Sequence, residues 1–268
     1  MSRGEVSCLA LVGCKVPTES RRVSGSAFLG LTWLFAFAVS AIAQSRCADC
    51  HFANPAAPDT AHLSNWDGSA HRRNNVGCEK CHGGDATTFE PLLAHRGILK
   101  STNPASPVNR QNLSTTCGAC HAGPFVAFQK SQHFALLKKG DTRVPVCSTC
   151  HDAAGTWRPS ARSLETECRQ CHGPGGIAPR AGRAESARTL YEALHESRDR
   201  MKSARLLINR VADKARRDQM EAAYQQTEVP LRQAVQAGHE FVYDDLKERL
   251  STARERLDAL LRQLANPK

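Results

Sequence analysis

Apolar side chains recur at helical spacing through the last third of the chain. From Ala184 to about Gln226 no Pro or Gly interrupts a stretch rich in Ala, Arg, Glu, Lys and Gln, which favours helix throughout. A second stretch begins near Pro230, a residue suited to the first turn of a helix, and continues to Leu264. We predict two long helices that pack as an antiparallel hairpin across residues 180–268. The first apolar stripe comprises Leu190, Leu194, Met201, Ile208, Val211 and Ala215, and the second comprises Leu231, Val235, Val242, Leu246, Leu250, Ala253, Leu257, Leu261 and Leu264.

Residues 44–179 contain few of the long apolar periodicities from which an ordinary core is built. Pairs such as Asn54-Pro55 and Asn103-Pro104 divide this part into turns and loops, and a Gly-rich segment after His172 ends it as a linker. The fold class that follows is mainly α with extensive loops. The part before the linker must obtain its core from something other than its own side chains.

The first 43 residues have the pattern of a targeting segment. Lys15, Arg21 and Arg22 precede an apolar run from Ala27 to Ala43 that ends in a small-x-small sequence. This arrangement predicts a secretory signal peptide over residues 1–43, cut before Gln44, and a periplasmic location for the mature chain. A run of this length is also at the short limit for crossing a bilayer, so an uncleaved membrane anchor stays open as an alternative.

Ten of the twelve cysteines belong to five copies of the motif Cys-x-x-Cys-His, which is the attachment signature of c-type haem. Two thiols add to the vinyl groups of one porphyrin, and the adjoining histidine becomes the proximal axial ligand of its iron. Five motifs therefore predict five covalently bound haem c groups. The attachment residues are Cys47, Cys50, Cys78, Cys81, Cys117, Cys120, Cys147, Cys150, Cys168 and Cys171, and the proximal ligands are His51, His82, His121, His151 and His172.

Zinc is the main alternative for such cysteines, because pairs of Cys-x-x-Cys also build structural zinc sites. Those sites need pairs of pairs, five is odd, and zinc gives no reason for a histidine after every second cysteine. A thioredoxin-type dithiol would need a single motif in a βαβ setting, and outside the leader no cysteine is left for a disulfide. Haem is the better account, and the porphyrins then supply the missing core of a cytochrome domain over residues 44–179.

A second axial ligand for each iron has to come from elsewhere in the chain. After the leader only Met201 and Met220 could serve as methionine ligands, which indicates mostly bis-histidine haems of low potential. His239 follows Val235 by four residues on the apolar stripe, whereas His195 falls on the polar side of its helix and is expected to be solvated. The predicted distal ligands are His62, His71, His95, His133 and His239.

Two of these histidines belong to a shared segment, aromatic-x-x-Ser-x-His, which begins at Trp66 and again at Phe128. The segment resembles the distal-histidine segment of multihaem cytochromes related to cytochrome c554, the pentahaem nitrite reductases and hydroxylamine oxidoreductase. The resemblance covers roughly residues 47–175 and weakly the C-terminal helices. It implies that such a histidine binds a haem other than the one attached next. It also implies a homodimer through the C-terminal helices, with simple packing onto the haem domain as the alternative.

The net charge of +10 does not require a nucleic-acid partner. Five haems bring ten propionates, whose carboxylates need the basic partners that surplus Lys and Arg provide. We therefore predict no nucleic-acid partner.

Three functions stay open at this point. Closely spaced bis-histidine haems predict an exported electron carrier between other redox proteins. An open haem would instead imply an oxidoreductase acting on nitrite, hydroxylamine or a sulfur oxyanion. All five motifs end in His, so the lysine of many nitrite reductases is absent, and the tyrosines Tyr191, Tyr224 and Tyr243 all lie in the predicted hairpin. A retained leader would favour a membrane-anchored quinol dehydrogenase of NapC/NirT type.

Overall fold

The described chain is helical, as the sequence predicts. A computed structural model describes residues 45–54, 61–152 and 159–266, and it contains no strand in those ranges. The predicted signal peptide, and with it the choice between cleavage and a retained anchor, lies outside the described residues. Across the described part, no helix is both long enough and apolar enough to cross a membrane.

The part of the chain before the linker forms short helices joined by loops. Isolated helices of this length are marginal in water, so each depends on what it packs against. Arg110 fixes two of the loops together, since its guanidinium donates to the carbonyls of Thr142 and Val144 at 2.7 Å each. The helices are α1 (Arg46–Ala53), α2 (Ala61–Asp67), α3 (Ala70–Arg73), α4 (Glu79–His82), α5 (Pro91–Ala94), α6 (Leu113–Gly118), α7 (Ala122–Gln129), α8 (Gln132–Lys138), α9 (Cys147–His151) and α10 (Ala161–His172).

Apolar burial divides unevenly between the two parts of the described chain. Before the linker the buried apolar cluster consists of Leu137, Val144 and Val146, with Leu113 and Phe134 packed against it. After the linker a single cluster joins twelve buried residues: Leu190, Leu194, Met201, Ala204, Ile208, Met220, Leu231, Ala234, Leu250, Ala253, Leu257 and Leu260. Only the second cluster is large enough to be the core of a small domain.

The C-terminal region contains three helices where we predicted two. They are α11 (Arg183–Ile208), α12 (Lys214–Glu240) and α13 (Tyr243–Ala265). The antiparallel hairpin is formed by α12 and α13, and α11 packs against both of them. The break that we placed before Pro230 is absent, because α12 continues through that residue. The chain instead turns before Asp213, whose side chain accepts from the Arg216 backbone N–H at 2.7 Å and caps α12.

Pro230 is accommodated inside α12 by a side chain of the neighbouring helix. A proline has no N–H, so the carbonyl four residues earlier, that of Gln226, loses its helical donor. Arg256 of α13 replaces the donor, since its Nη1 lies 2.8 Å from the Gln226 oxygen. The arginine thus couples α13 to the one carbonyl of α12 that the proline leaves without a partner.

We expect Arg256→Met to lower the free energy of unfolding of the helical region by about 1 kcal/mol, the usual contribution of one hydrogen bond. In a Pro230→Ala background the same replacement should cost much less, because the backbone N–H that alanine restores at position 230 then serves the carbonyl. Thermal or chemical unfolding of the four proteins of this cycle measures the coupling. Equal costs in both backgrounds would show that Arg256 acts elsewhere. Arg232→Met, which removes an exposed pair with Glu228, is the matched control.

Helices that precede the linker contact helices that follow it. Helix α7 packs against α12, and Lys130 Nζ lies 2.9 Å from a carboxylate oxygen of Glu240. The ring of Phe128 faces that of Phe241, with the ring centroids 6.3 Å apart. These contacts bring the end of α12 beside the histidines of the first part. A boundary at residue 179 between two domains remains a prediction.

Candidate haem sites

Every motif histidine faces one histidine from outside the motifs. The two ring centroids of each pair lie 6.0 to 6.2 Å apart. The five partners are the five histidines predicted as distal ligands, each used once. The pairs are His51 with His95, His82 with His62, His121 with His71, His151 with His239 and His172 with His133.

The spacing within each pair fits one metal ion between the two rings. An imidazole nitrogen binds a metal at about 2.0 Å, and the ring centroid lies about 1.1 Å behind it, so two opposed rings stand about 6 Å apart. Aromatic side chains in direct contact can have similar centroid distances. Such contacts, however, give no reason for five separate pairs that each join a motif histidine to a different partner. The donor set therefore suits five six-coordinate haem irons.

Hydrogen bonds to backbone carbonyls orient the rings of His95, His172 and His239. The Nδ1 atoms of His95, His172 and His239 lie 2.8 Å from the oxygens of Pro91, Ala178 and Val235, respectively. A metal-binding histidine commonly donates its other ring N–H in this way, which fixes the ring and leaves Nε2 for the metal. Pro91 and Val235 stand four residues before their histidines, so helical spacing indicates these two acceptors. The sequence gives no signal for Ala178.

Burial favours the neutral, metal-binding form of two rings. It is the main cause that lowers the pKa of His82, with a contribution from His62. It likewise lowers the pKa of His133, with contributions from His172 and Arg180. Since imidazole binds a metal without its second proton, burial at these two positions favours the form of the ring that can be a ligand.

The shared aromatic-x-x-Ser-x-His segment has a structural explanation. Its serine is a helix N-cap: the hydroxyls of Ser69 and Ser131 each accept a backbone N–H at 3.0 Å, at the starts of α3 and α8. The cap places His71 and His133 at the second position of their helices. Trp66 adds a second stabilising hydrogen bond, because its Nε1 donates to the carbonyl of Val76 at 2.9 Å. In both cases the histidine opposite is not that of the motif next in sequence.

His195 is the histidine that remains after the five pairs are formed. It lies on α11, where its ring contacts Tyr191 with the centroids 4.3 Å apart. Each motif histidine already faces another histidine, so His195 has no place in the pairs. We expected His195 to be solvated on the polar side of its helix, whereas its side chain is half-buried and packs on Tyr191.

The attachment cysteines of successive motifs lie near one another. All ten are free thiols in the described chain, and the Sγ of Cys147 lies 3.8 Å from the hydroxyl of Ser114 on α6. Contact with Cys117 is the main cause that lowers the pKa of Cys147. Burial, with a smaller effect from Cys168, raises the pKa of Cys150 to about 11. In the same way burial first, and then the neighbouring motif, raises the pKa of Cys78 beside Cys47 and of Cys81 beside Cys120.

The metal-ligating side chains come together in pairs rather than in larger groups. Over the described ranges, no three His, Cys, Asp or Glu side chains are arranged around one point as ligands of a metal ion. A structural zinc site requires four ligands at the corners of a tetrahedron. Two histidine rings about 6 Å apart, one of them in a motif that also carries two cysteines, are the side chains that would hold a haem.

Two families of known proteins match the chain. The family described as "Cytochrome c7 and related cytochrome c" matches residues 104–173, and "Cytochrome c554 and c-prime" matches residues 36–83. Together with the five motifs, these matches show that the chain is a multihaem c-type cytochrome, a class that transfers electrons through covalently bound haem c.

One relative extends the comparison beyond the two families. The C-type polyheme cytochrome OmcC of Geobacter sulfurreducens is 25% identical over 125 residues, which cover 44% of this chain. The chain spans only 15% of the length of that relative. No solved structure matches the chain.

Proposed function

We propose that the chain binds five haem c groups, one at each motif, and passes electrons among them between redox partners. The observation that carries the proposal is the set of five histidine pairs, each with a spacing that suits one iron. In this assignment the ten motif cysteines attach the porphyrins, and the proximal ligands are His51, His82, His121, His151 and His172. The distal ligands, in the same order, are His95, His62, His71, His239 and His133.

Two axial histidines per iron favour a carrier over an enzyme. When bound, each haem supplies a one-electron couple, and two imidazole ligands without methionine keep its potential low. A histidine on both faces leaves no coordination position for nitrite, hydroxylamine or a sulfur oxyanion. The role of the protein is then to fix both rings, to cover the porphyrin and to keep neighbouring haems close.

The attachment sites support a row of haems that follows the sequence. Helix α9, which carries the fourth motif, contacts α6 of the third and α10 of the fifth. The thiols of Cys47 and Cys78, and those of Cys81 and Cys120, are near enough to affect one another electrostatically. An electron that enters at one end can therefore move through adjacent porphyrins to the other end.

The location and partners of the carrier follow from the leader and from the cofactor. Export is required in this proposal, because the leader has the form of a signal peptide and the mature chain would work in the periplasm. Its partners are other redox proteins as donor and acceptor. A homodimer through α11–α13 is part of the proposal, and membrane attachment enters only if the leader is retained.

Two spectroscopic measurements test the assignment. The pyridine derivative of the purified protein should give an absorbance equal to five haems per chain. Low-temperature EPR of the oxidised protein should show low-spin ferric haem alone. A substantial high-spin signal, or a spectrum that changes with nitrite or cyanide, would instead favour the enzyme with an open haem.

A further inference from the structure

Phe241, at the end of α12, has a backbone conformation that is unusual for its residue type. Its φ of 59° and ψ of 30° place it in the left-handed region. Among the described residues, the other non-glycine positions with positive φ are Asn75 and Asp152, which belong to the types that tolerate this region. Because this conformation is unfavourable for a bulky residue, we infer that the position of the Phe241 side chain is functionally important.

The ring of Phe241 lies directly against a predicted distal ligand. Its centroid is 4.4 Å from that of His133, and the two ring planes are nearly perpendicular at 87°. The end of α12 is fixed at this place by the Lys130–Glu240 ion pair and by the contact of Phe241 with Phe128. The left-handed turn therefore directs the phenyl ring at the pair of His133 and His172.

His133 differs from His95 and His239 in the surroundings of its Nδ1 atom. Those two rings donate to the carbonyl four residues earlier in a helix. His133 is the second residue of α8, so its helix offers no such carbonyl. Its Nδ1 is buried and has no hydrogen-bond partner among the described residues. Phe241 packs against this ring at a centroid distance of 4.4 Å, and an aromatic ring is at most a weak acceptor of an N–H.

We infer that Phe241 is a positioning residue for His133 that holds the ring without accepting a full hydrogen bond and so raises the potential of the fifth haem. The inference rests on the proposed function. A strong acceptor at the second nitrogen makes a ligating imidazole more basic, which stabilises ferric iron. Phe241 withholds that effect, and second-shell hydrogen bonding is one of the means by which proteins set haem potentials. Electrons in the row would then collect toward the fifth motif.

Two replacements at this position separate the inference from simple packing. Asn tolerates the left-handed conformation and brings an amide oxygen, whereas Leu keeps an apolar side chain with no acceptor. In a spectroelectrochemical titration of the haem-loaded protein, Phe241→Asn should shift one of the five midpoint potentials downward and leave the other four in place. Phe241→Leu should produce no downward shift.

Midpoints that are unchanged in Phe241→Asn, or that fall equally in both variants, would overturn the inference. Phe241→Gly is the control for backbone strain, because glycine adopts the left-handed conformation without cost. Its removal of the ring lets water reach Nδ1, so it should shift the same midpoint potential downward. Failure of the proposed function is seen separately. It would appear as high-spin iron in the wild-type protein, or as an EPR spectrum that His133→Ala leaves unaltered.

Discussion

The His239→Ala protein should contain one high-spin haem in five. His239 is the next-to-last residue of α12, and its ring stands 6.2 Å from that of His151 and nearly parallel to it, with 11° between the planes. In the proposed assignment, removal of the imidazole should leave the iron of the fourth motif with His151 as its one protein axial ligand. The EPR of the oxidised variant should show the new signal, and cyanide should bind to about one haem per chain, because five-coordinate iron is open to ligands.

The haem count and the other four sites should not change. Attachment of the fourth haem depends on Cys147 and Cys150, which the replacement leaves intact. Free imidazole added to His239→Ala should restore the low-spin spectrum, since the lost group is the ring itself. A low-spin spectrum for His239→Ala without added imidazole would show that the residue is structural.

His195→Ala is the matched control for this experiment. It removes the other histidine of the C-terminal helices, whose ring contacts Tyr191 on α11. We expect the spectrum of five low-spin haems to stay as it is in the wild-type protein. A high-spin signal in this variant would mean that His195 serves an iron and that the pairing of His239 has to be revised.

Helical periodicity placed His239 on the apolar stripe and His195 off it, but it could not indicate which motif histidine each predicted distal histidine faces. His95 pairs with His51 of the first motif, which precedes it in the sequence. His133 pairs with His172 of the fifth motif and not with the fourth motif, which is the next one in the sequence. These pairings depend on how loops with little periodicity fold back on one another. Local spacing has no information on that, whereas it does determine which face of α12 carries His239.

We predicted two C-terminal helices in place of three because tertiary packing outweighed two local signals, the proline at position 230 and the helical composition of residues 184–226. Pro230 has the propensity of a helix start, yet the Arg256 side chain makes its place inside α12 acceptable. Conversely, the stretch from Ala184 to Gln226 has helical composition throughout, but the chain turns between α11 and α12, and Asp213 caps the new helix. The turn lets Ile208 and Met220 join one apolar cluster, a tertiary effect that propensity cannot include.

Without haem, the chain should retain α11–α13 and lose the fold of the part before the linker. That part has helices of 4 to 12 residues and a buried apolar cluster of three side chains, which cannot offset the entropy of ordering so many loops. Helices α11, α12 and α13 have 26, 27 and 23 residues and share a buried apolar cluster of twelve side chains.

Full-length protein made without haem attachment should therefore show the circular dichroism of the C-terminal helices alone. Limited proteolysis should remove most of residues 45–179. Protection of α4–α9 in this protein would contradict the view that porphyrins supply their core.

Leu257→Ala tests whether the two cores are independent. Leu257 is 1% exposed in the centre of the C-terminal cluster, and such a truncation costs about 2–5 kcal/mol. In the haem-free chain, cleavage should then extend into α11–α13, because no second core supports them. In the haem-loaded chain the proposed bond between His239 and the fourth iron would tie α12 to the haem-bearing part, so Leu257→Ala should cause less cleavage of α11–α13 there. If His239→Ala removes that protection, ligation by His239 stabilises the helices as well as completing the iron site.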